Sequence, residues 1–232
     1  MAYFQSLKPS PSSKSHLNLK LVILIFATLF IGLTGCAPRP KYGIDIYFLP
    51  QTKFTEIEPN YQPGNLGFFW LSWNYAGWIQ HANILIDSTV PQKLRNHLLR
   101  EELTQSLGLM NDSPRFPHSI FFGGQSNDTA YLPIDRQLIV MLYQPDIQPN
   151  ITAFDVDVAL NGQFSEQERL YFKEVALGAE YGQARAEIRK WRTDIPIRVH
   201  GSPTPDDSAE LQKIIADING SLDAIMLSLP AP

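Results

Sequence analysis

The chain has 232 residues, of which 44% are hydrophobic, and its formal net charge is −4 at pH 7. This acidic balance argues against nucleic acid as a partner, because binding to a phosphate backbone needs clustered positive charge. The single cysteine excludes a disulfide within the chain, and the length is sufficient for one well-buried domain or two small ones.

The first 35 residues have the features of a secretory signal peptide. Three lysines supply a basic start without any acidic residue, and an apolar run from residue 21 to residue 33 follows. The run ends in Leu33-Thr34-Gly35-Cys36, which resembles the bacterial lipobox. The resemblance implies that Cys36 is lipid-modified and becomes the mature N-terminus. The alternative is an uncleaved anchor helix with an incidental cysteine.

In the lipoprotein interpretation, residues 36–42 form a short tether and the rest of the chain is exported. Acyl chains on Cys36 then hold the protein to the membrane of a bacterial cell envelope. Ala37 follows this cysteine, at a position where an aspartate would favour retention at the inner membrane. We therefore expect an outer-membrane address if the envelope is Gram-negative.

Three strands are predicted in the first part of the mature chain. Gly43–Leu49 alternates apolar and polar residues with the period of a half-buried strand, and residues 67–73 and 78–87 are also strand-like. Aromatic residues lie in and between the last two: Phe68, Phe69, Trp70, Trp73, Tyr75 and Trp78. Such a band can stack on a glycan or a peptide, but core packing and sheet covering are its commoner uses.

A helix is predicted over residues 88–107. Ser88-Thr89-Val90-Pro91 provides a hydroxyl cap and a proline suited to the first turn, and Gly108 suits the C-terminal end. The expected core face consists of Leu99, Leu103 and Leu107. A loop then leads to a second helix that begins at Pro133.

The C-terminal part contains two further helices and two strands. Ser165 and Glu168 have the form of a capping box, and Thr204 precedes the other helix. Alternation predicts strands at 195–199 and 222–229, so the fold class is α+β, with helices on one side of a mixed sheet. The basic run consists of Arg185, Arg189, Lys190 and Arg192. It is typical of a solvated face rather than an anion site.

The stretch LREELTQSLGL, residues 99–109, has the spacing of the zinc-binding helix H-E-x-x-H-x-x-G-x-x-H. With the glycine of that pattern on Gly108, the glutamate falls on Glu102, and the histidine positions hold Glu101, Gln105 and Asn111. One carboxylate and two amides are a poor ligand set for zinc. If a divalent metal binds here, the oxygen donors are more compatible with calcium.

Two histidines near this helix offer nitrogen ligands. His97 lies one helical turn before Glu101, and His118 lies in the following loop. A lone histidine in such a place is more often a surface residue than a ligand, so a metal site rebuilt around His97 and His118 is the less favoured interpretation.

The order of motifs after the helix resembles that of matrix-metalloprotease-like zincins. Ser119-Ile120-Phe121 stands where those proteins have a Met-turn, with phenylalanine in place of methionine. A closer resemblance is to domain of unknown function 2927 (DUF2927), a bacterial family of exported proteins. The matching residues are Glu101-Glu102-Leu103-Thr104-Gln105, Leu107-Gly108-Leu109, Asn111-Asp112-Ser113, Ser119-Ile120-Phe121, Asp135 and Leu142-Tyr143. The resemblance implies a zincin-like fold with an altered metal site, and no known reaction.

One departure from that family concerns the order of segments. Residues 171–182 and 189–207 resemble the opening of the family's domain, yet here they follow the helix. We therefore expect one circularly permuted domain over residues 43–232. It consists of a motif-bearing segment (43–149), a linker (150–163) and a permuted segment (164–232). Permutation is tolerated where the natural termini are close, and it predicts that residues 222–229 pack next to Gly43–Leu49.

Three functions are compatible with these residues. The favoured one is a non-catalytic binding or scaffolding domain whose partner is a peptide, cell-wall material or a protein, bound beside the 101–105 helix. The rival is a peptidase-like hydrolase in which Glu102 is the general base and Glu101, Gln105 and Asn111 bind a metal or orient the substrate. The third is an assembly component without a small-molecule site.

In the non-catalytic interpretation, the polar residues of the motif hold the fold together. Glu101, Gln105, Asn111 and Asp112 would form a hydrogen-bond network that caps the helix and fixes the loop after it. The supporting loop residues are Asp112, Ser113, His118 and Ser119.

Overall fold

The computed structural model describes residues 42–124, 126–178 and 186–230. The predicted signal peptide, Cys36, all but the last residue of the tether, and Arg185 lie outside the described residues. Within the described ranges, five strands form one mixed sheet against which helices pack, which confirms the predicted α+β class. In the same ranges, every helix is too short or too polar to span a membrane.

The secondary structure follows the predicted order with two additional helices. The strands are β1 (Gly43–Leu49), β2 (Gly67–Trp73), β3 (Ile79–Asp87), β4 (Ile195–Gly201) and β5 (Leu227–Ser228). The helices are α1 (Phe54–Ile57), α2 (Gln92–Gln105), α3 (Pro133–Leu142), α4 (Ala153–Leu160), α5 (Glu166–Leu177) and α6 (Pro205–Asn219). The additional helices are α1 and α4.

The sheet has the strand order β2-β3-β1-β4-β5, so β1 is central. β1 runs parallel to both of its neighbours, and Ile46 lies opposite Ile84 of β3 and Val199 of β4. β4 and β5 are also parallel, whereas β2 runs antiparallel to β3. Because side chains alternate along a strand, Ile44 and Ile46 of β1 lie on one face of the sheet, and Asp45 and Tyr47 lie on the other.

The two faces of the sheet have different coverings. The apolar face of β1 and β3 joins one large core with α2, α3, α4, α5 and α6, for example through Leu99 and Leu103 of α2. On the opposite face, Phe54 of α1 and Tyr61 cover Phe68 and Leu85. The short α1 is thus an exception to the expectation that helices pack on one side.

The predicted contact between the C-terminal strand and β1 is wrong. Both edges of β1 are occupied by β3 and β4, and β5 instead pairs with β4 at Ile195 and Pro196. The strand is also shorter than predicted, and the Asn219 side chain fixes it by bonding the backbone N–H and C=O of Leu227 at 2.8 and 2.9 Å. The permuted segment order stays a prediction.

The segment predicted as a linker, residues 150–163, contains α4. Thr152 and Asp155 form a capping box at its start, where the Asp155 carboxylate accepts the Thr152 backbone N–H at 2.9 Å. Val156 and Leu160 are fully buried in the core. This segment therefore belongs to the packed domain.

Helix α2 begins four residues later than predicted. The Thr89 hydroxyl donates to Asp87 Oδ1 at 2.7 Å, and the Thr89 backbone N–H donates to the same oxygen at 2.9 Å. Because the hydroxyl is directed to the turn before it, it does not cap the helix, and Pro91 occupies the N-cap position. The sequence pattern identified the helix but not this competing Asx-type turn.

Two residues of the basic run near β4 do not belong to a solvated face, contrary to the prediction, although Arg192 is exposed. Arg189 and Lys190 are both buried. Lys190 Nζ donates to the carbonyl oxygens of Leu142 at 3.1 Å and Ile147 at 2.6 Å, at and beyond the C-terminal end of α3. The negative end of a helix favours a cation, which explains why a lysine is tolerated there.

This buried lysine gives the domain a specific pH dependence. Burial lowers the pKa of Lys190 to about 8, whereas an unfolded lysine has a pKa of about 10.4. Between pH 8 and 9.5 the unfolded chain therefore keeps a proton that the folded chain loses. We expect the free energy of unfolding to rise through this window by up to about 1.4 kcal/mol per pH unit.

Urea denaturation at half-unit pH steps measures this slope. Lys190→Met should remove it, whereas Lys213→Met, at an exposed lysine of α6, should keep it. The window ends near pH 10, because burial raises the pKa of Tyr131 to about 12, so that tyrosines ionise first in the unfolded chain and stability falls. If the slope persists in Lys190→Met, then Lys190 is not the source of the pH dependence of stability.

Candidate functional site

The helix with the zincin-like spacing is buried on more than one side. Leu99 and Leu103 face the sheet as expected. Six polar residues of α2 are also buried: Arg95, His97, Arg100, Glu102, Thr104 and Gln105. α6 and the loop between α2 and α3 cover this polar side. The polar residues of α2 therefore lie mainly inside the protein.

Glu101 lies beside His97 on α2, one turn apart. The His97 Nε2 and Glu101 Oε2 atoms are 3.4 Å apart, and His97 Nδ1 shares a 2.7 Å hydrogen bond with the backbone oxygen of Asp128. Burial lowers the pKa of His97, against the opposing effect of Asp128. The expectation that His97 is a surface residue is wrong, since the loop after α2 covers it.

Gln105, Asn111 and Asp112 are brought together at the C-terminal end of α2. Gln105 Nε2 donates to Asp112 Oδ1 at 2.7 Å. Asn111 Nδ2 donates to the backbone oxygens of Asp112 at 2.8 Å and of Glu174 on α5 at 3.1 Å. These bonds connect α2, the loop after it and α5, which is the arrangement expected of a structural network.

Glu102 lies against strand β2. The side chain is buried, and a Cβ atom placed on Gly67 would lie 2.5 Å from Glu102 Oε1. Only a glycine at position 67 leaves room for the carboxylate at this distance. The Glu102 carboxylate therefore occupies the space between helix and sheet.

The loop residues divide into buried and exposed groups. Ser119 is fully buried; its hydroxyl donates to Asp135 Oδ1 at 2.6 Å and lies 2.7 Å from the Tyr171 hydroxyl. Burial raises the pKa of Asp135, against the hydrogen bond from Ser119. Ser113 is buried as well and pairs with Phe121 through its backbone N–H. His118 is exposed, with Nδ1 3.2 Å from Asp128 Oδ2.

These side chains do not fit a zinc ion. Zinc is bound tetrahedrally by thiolate, imidazole and carboxylate groups. Here two of the three positions hold amides, Gln105 and Asn111, which donate to neighbouring oxygens, and the third, the Glu101 carboxylate, lies beside His97. In the described parts of the chain, no group of three or more His, Cys, Asp or Glu side chains is placed to hold a metal.

A comparison with protein families supports the resemblance seen in the sequence motifs. The model of a protein family of unknown function, DUF2927, matches residues 44–162 and 165–228. The chain belongs to the DUF2927 family. The chain matches no curated protein and no solved structure. The two DUF2927 matches are separated by residues 163 and 164, close to the predicted boundary between the linker and the permuted segment.

Sequence reasoning missed one group of ionisable residues in this DUF2927 domain. Asp45 on β1 contacts His81 on β3 and both Arg198 and His200 on β4; we name these four residues the Asp45 cluster. Each residue occupies an ordinary polar position in an alternating strand. Because they are up to 155 residues apart in sequence, only the register of three strands could have brought them together.

Proposed function

We propose that this DUF2927 chain is a lipid-anchored cell-envelope protein whose domain binds or scaffolds a peptide, cell-wall material or a protein without catalysing a reaction. The observation that carries the proposal is the bond between Gln105 Nε2 and Asp112 Oδ1 at 2.7 Å. Together with the Asn111 bond to α5, this bond connects α2, the loop after it and α5 through two amides that stand at the histidine positions of the zincin pattern.

The other end of α2 offers a place for a partner. A surface depression of about 300 Å³ lies beside the first half of α2 and includes Lys93, His118, Asp128 and Thr129. It presents a cation, an imidazole, a carboxylate and a hydroxyl, which are groups that recognise a polar chain such as a peptide. This depression supports binding beside α2, and Glu102 is not among the residues that line it.

Metal content tests the non-catalytic part of the proposal. The full-length chain, Glu101→Ala and Gln105→Ala would be exposed to zinc or calcium, dialysed and measured by elemental analysis. We expect no stoichiometric metal in any of them. Gln105→Ala should still lower the free energy of unfolding by about 1–3 kcal/mol, because Asp112 loses a buried hydrogen-bond donor.

The opposite result would favour the hydrolase. Stoichiometric metal in the unmodified chain, lost in both variants, would show that these residues are ligands and would restore Glu102 as a candidate general base. The anchor has a separate test. Incorporation of a labelled fatty acid by the expressed chain, abolished in Cys36→Ser, is expected, and equal labelling of both would contradict lipidation at Cys36.

A further inference from the structure

Four strands of the sheet begin at the same end. β1, β3, β4 and β5 run parallel to one another, so their first residues lie together at that end: Gly43, Ile79, Ile195 and Leu227. β2 is antiparallel to β3, so the turn that joins them lies there as well. The surface at this end consists of Tyr42 and residues 74–78, 192–194 and 223–226, and we name it the entry surface.

The chain enters the domain at the entry surface. Tyr42 directly precedes β1, and its hydroxyl donates to the backbone oxygen of Thr193 at 3.1 Å. Its ring packs edge-on against Trp191, with the two ring centres 5.3 Å apart. These contacts fix the start of the domain to this end of the sheet.

A lipid on Cys36 would keep the entry surface close to a membrane. Only five residues separate Cys36 from Tyr42, and even a fully extended chain covers that separation with at most about 22 Å. The opposite end of the sheet lies one strand length from Tyr42, about 23 Å for the seven residues of β1. This step rests on the lipid anchor proposed above.

The entry surface exposes large hydrophobic side chains. Tyr75 is fully exposed, Met226 is 58% exposed and Tyr42 is 37% exposed. A lone exposed hydrophobic residue is ordinary on a protein surface, whereas a group of them is typical of a surface that contacts a partner. The entry surface therefore has the composition of a contact surface.

The turn that carries Tyr75 is well ordered. The Asn74 backbone N–H donates to the Trp78 oxygen at 3.0 Å, and the Trp78 backbone N–H donates to Asn74 Oδ1 at 3.1 Å. The Asn150 side chain also donates to the backbone oxygen of Tyr75 at 3.3 Å. Because the backbone is already fixed, the exposed Tyr75 ring meets a partner with little loss of backbone entropy.

An aromatic ring and a cation lie next to this turn. The Arg192 guanidinium carbon lies 5.8 Å from the centre of the Trp78 ring, and Arg192 is exposed while Trp78 is partly buried. Tryptophan and tyrosine have an apolar body and a polar edge, and both are enriched at the headgroup level of bilayers. An arginine places its stem along apolar groups and its charge near phosphates. These residue types suit a lipid headgroup layer.

The charge of the entry surface is mixed. Arg192 is cationic, whereas Asp194 and Asp223 are exposed acids, and the Asp194 carboxylate accepts the Met226 backbone N–H at 2.9 Å. Attraction to anionic lipids needs clustered basic residues. We therefore expect a contact that depends on the aromatic residues and little on the charge of the lipid.

Helix α4 carries another group of exposed hydrophobic residues. Phe154 and Val158 are one helical turn apart and are 76% and 64% exposed. The acidic residues Asp155 and Asp157 alternate with them in the sequence, and carboxylates are repelled by lipid phosphates. α4 therefore fits a lipid surface less well, and Phe154 provides a control position.

We propose that the entry surface is a membrane-contact surface, which rests on the phospholipid bilayer that holds the lipidated Cys36. Tyr75 and Met226 lie at the level of the headgroups, and Arg192 contacts lipid phosphates. The contact gives the domain one orientation, in which the opposite end of the sheet is directed away from the membrane.

Fluorescence quenching in vesicles tests this orientation. Ala76→Cys places a thiol in the exposed turn, and Ser202→Cys places one at the opposite end of the sheet. Because Cys36 is the only native cysteine, its lipid modification leaves the introduced cysteine as the one thiol that a maleimide dye labels. The full-length chains are inserted into phosphatidylcholine vesicles that contain headgroup-labelled nitroxide lipids.

We expect the nitroxide lipids to quench the dye at residue 76 at least about three-fold more than the dye at residue 202, which lies about 23 Å further along the sheet. Vesicles that also contain phosphatidylglycerol should give the same result. Fatty-acid incorporation at Cys36 is measured on the same preparations.

Matched variants test the role of the Tyr75 ring. Tyr75→Ser, made in the Ala76→Cys chain, should lower the quenching by about half or more, because the headgroup layer loses an aromatic side chain. Phe154→Ser, made in the same chain, removes an exposed ring of α4 and should leave the quenching unchanged. Both rings are exposed, so the melting temperatures should also stay unchanged.

Each other outcome overturns the membrane contact. Without fatty acid on Cys36, the anchor and the contact both fail. With fatty acid on Cys36 but equal quenching at residues 76 and 202, the anchor stands, the contact fails, and the entry surface is open to a protein partner. Quenching that needs phosphatidylglycerol would show attraction by charge, and equal effects of Tyr75→Ser and Phe154→Ser would place α4 at the membrane.

Discussion

Gly108→Ala is expected to lower the free energy of unfolding by about 3 kcal/mol or more. Gly108 has a φ of +120°, and a Cβ atom there would lie 2.0 Å from the backbone oxygen of Arg189. The glycine lies three residues after the end of α2 and lets the segment before β4 cross it closely. For a domain of this size, the midpoint temperature of thermal unfolding should fall by roughly 6–12 °C.

Gly64→Ala is the matched control. Gly64 has a similar φ of +110°, but nothing lies within 4 Å of the Cβ position. It therefore carries the backbone strain of a positive φ without the steric overlap, and its cost should be limited to about 1–3 kcal/mol. Equal losses in the two variants, measured by urea denaturation, would show that the close approach to Arg189 does not matter.

This glycine bears on how the motif is understood. In the zincin frame, Gly108 is the glycine between the second and third ligand positions. In this domain a glycine is required by packing, because a Cβ atom at position 108 would overlap the backbone oxygen of Arg189. The contact joins the two segments of the family match, since Gly108 lies in the first and Arg189 in the second. A glycine in the expected place is therefore not by itself an indication of metal chemistry.

Local signals in the sequence were sufficient for much of the fold. The bounds of β1 and β2 agree with the predicted ones, because alternation is clear and turns flank both strands. α5 and α6 begin at the capping sequences of Ser165 and Thr204. The predicted last strand, 222–229, is longer than β5 and is placed beside β1 instead of β4. The order of strands along the chain does not determine their order in a sheet.

The sites depended on contacts that no local pattern encodes. Lys190 can be buried because three carbonyl oxygens at and after the C-terminal end of α3 accept its hydrogen bonds, and residues 142–147 are remote from it in sequence. The polar face of α2 was expected at a cleft, but α6 and the loop after α2 cover it. Glu102 was identified as a candidate base from spacing alone, whereas its position against Gly67 required the tertiary structure.

Arg100→Met is expected to lower the free energy of unfolding by about 3 kcal/mol. The Arg100 side chain is fully buried between α2 and α6, where Nη2 donates to Glu210 Oε1 at 3.0 Å and Nη1 donates to Asp217 Oδ2 at 2.8 Å. Its guanidinium also lies 4.5 Å from the centre of the Tyr131 ring. Removing the arginine leaves two carboxylates without their buried cation.

Arg136→Met provides the comparison at the same carboxylate. Arg136 Nη2 donates to Asp217 Oδ1 at 3.0 Å, and its guanidinium lies 5.2 Å from the Tyr131 ring, but its side chain is 41% exposed. Solvent screens this pair, so its loss should cost no more than about 1 kcal/mol. Asp217 and Tyr131 thus each contact the buried Arg100 and the more exposed Arg136.

A double variant identifies the source of the loss. If Arg100→Met is destabilising because Glu210 loses its buried cation and keeps only the exposed Lys213, then adding Glu210→Gln should recover part of the lost free energy, and the two changes should not be additive. Simple additivity, or equal costs for Arg100→Met and Arg136→Met, would contradict this account. Because Arg100 precedes Glu101 and Glu102 directly, these ion pairs fix the position of the motif helix relative to α6.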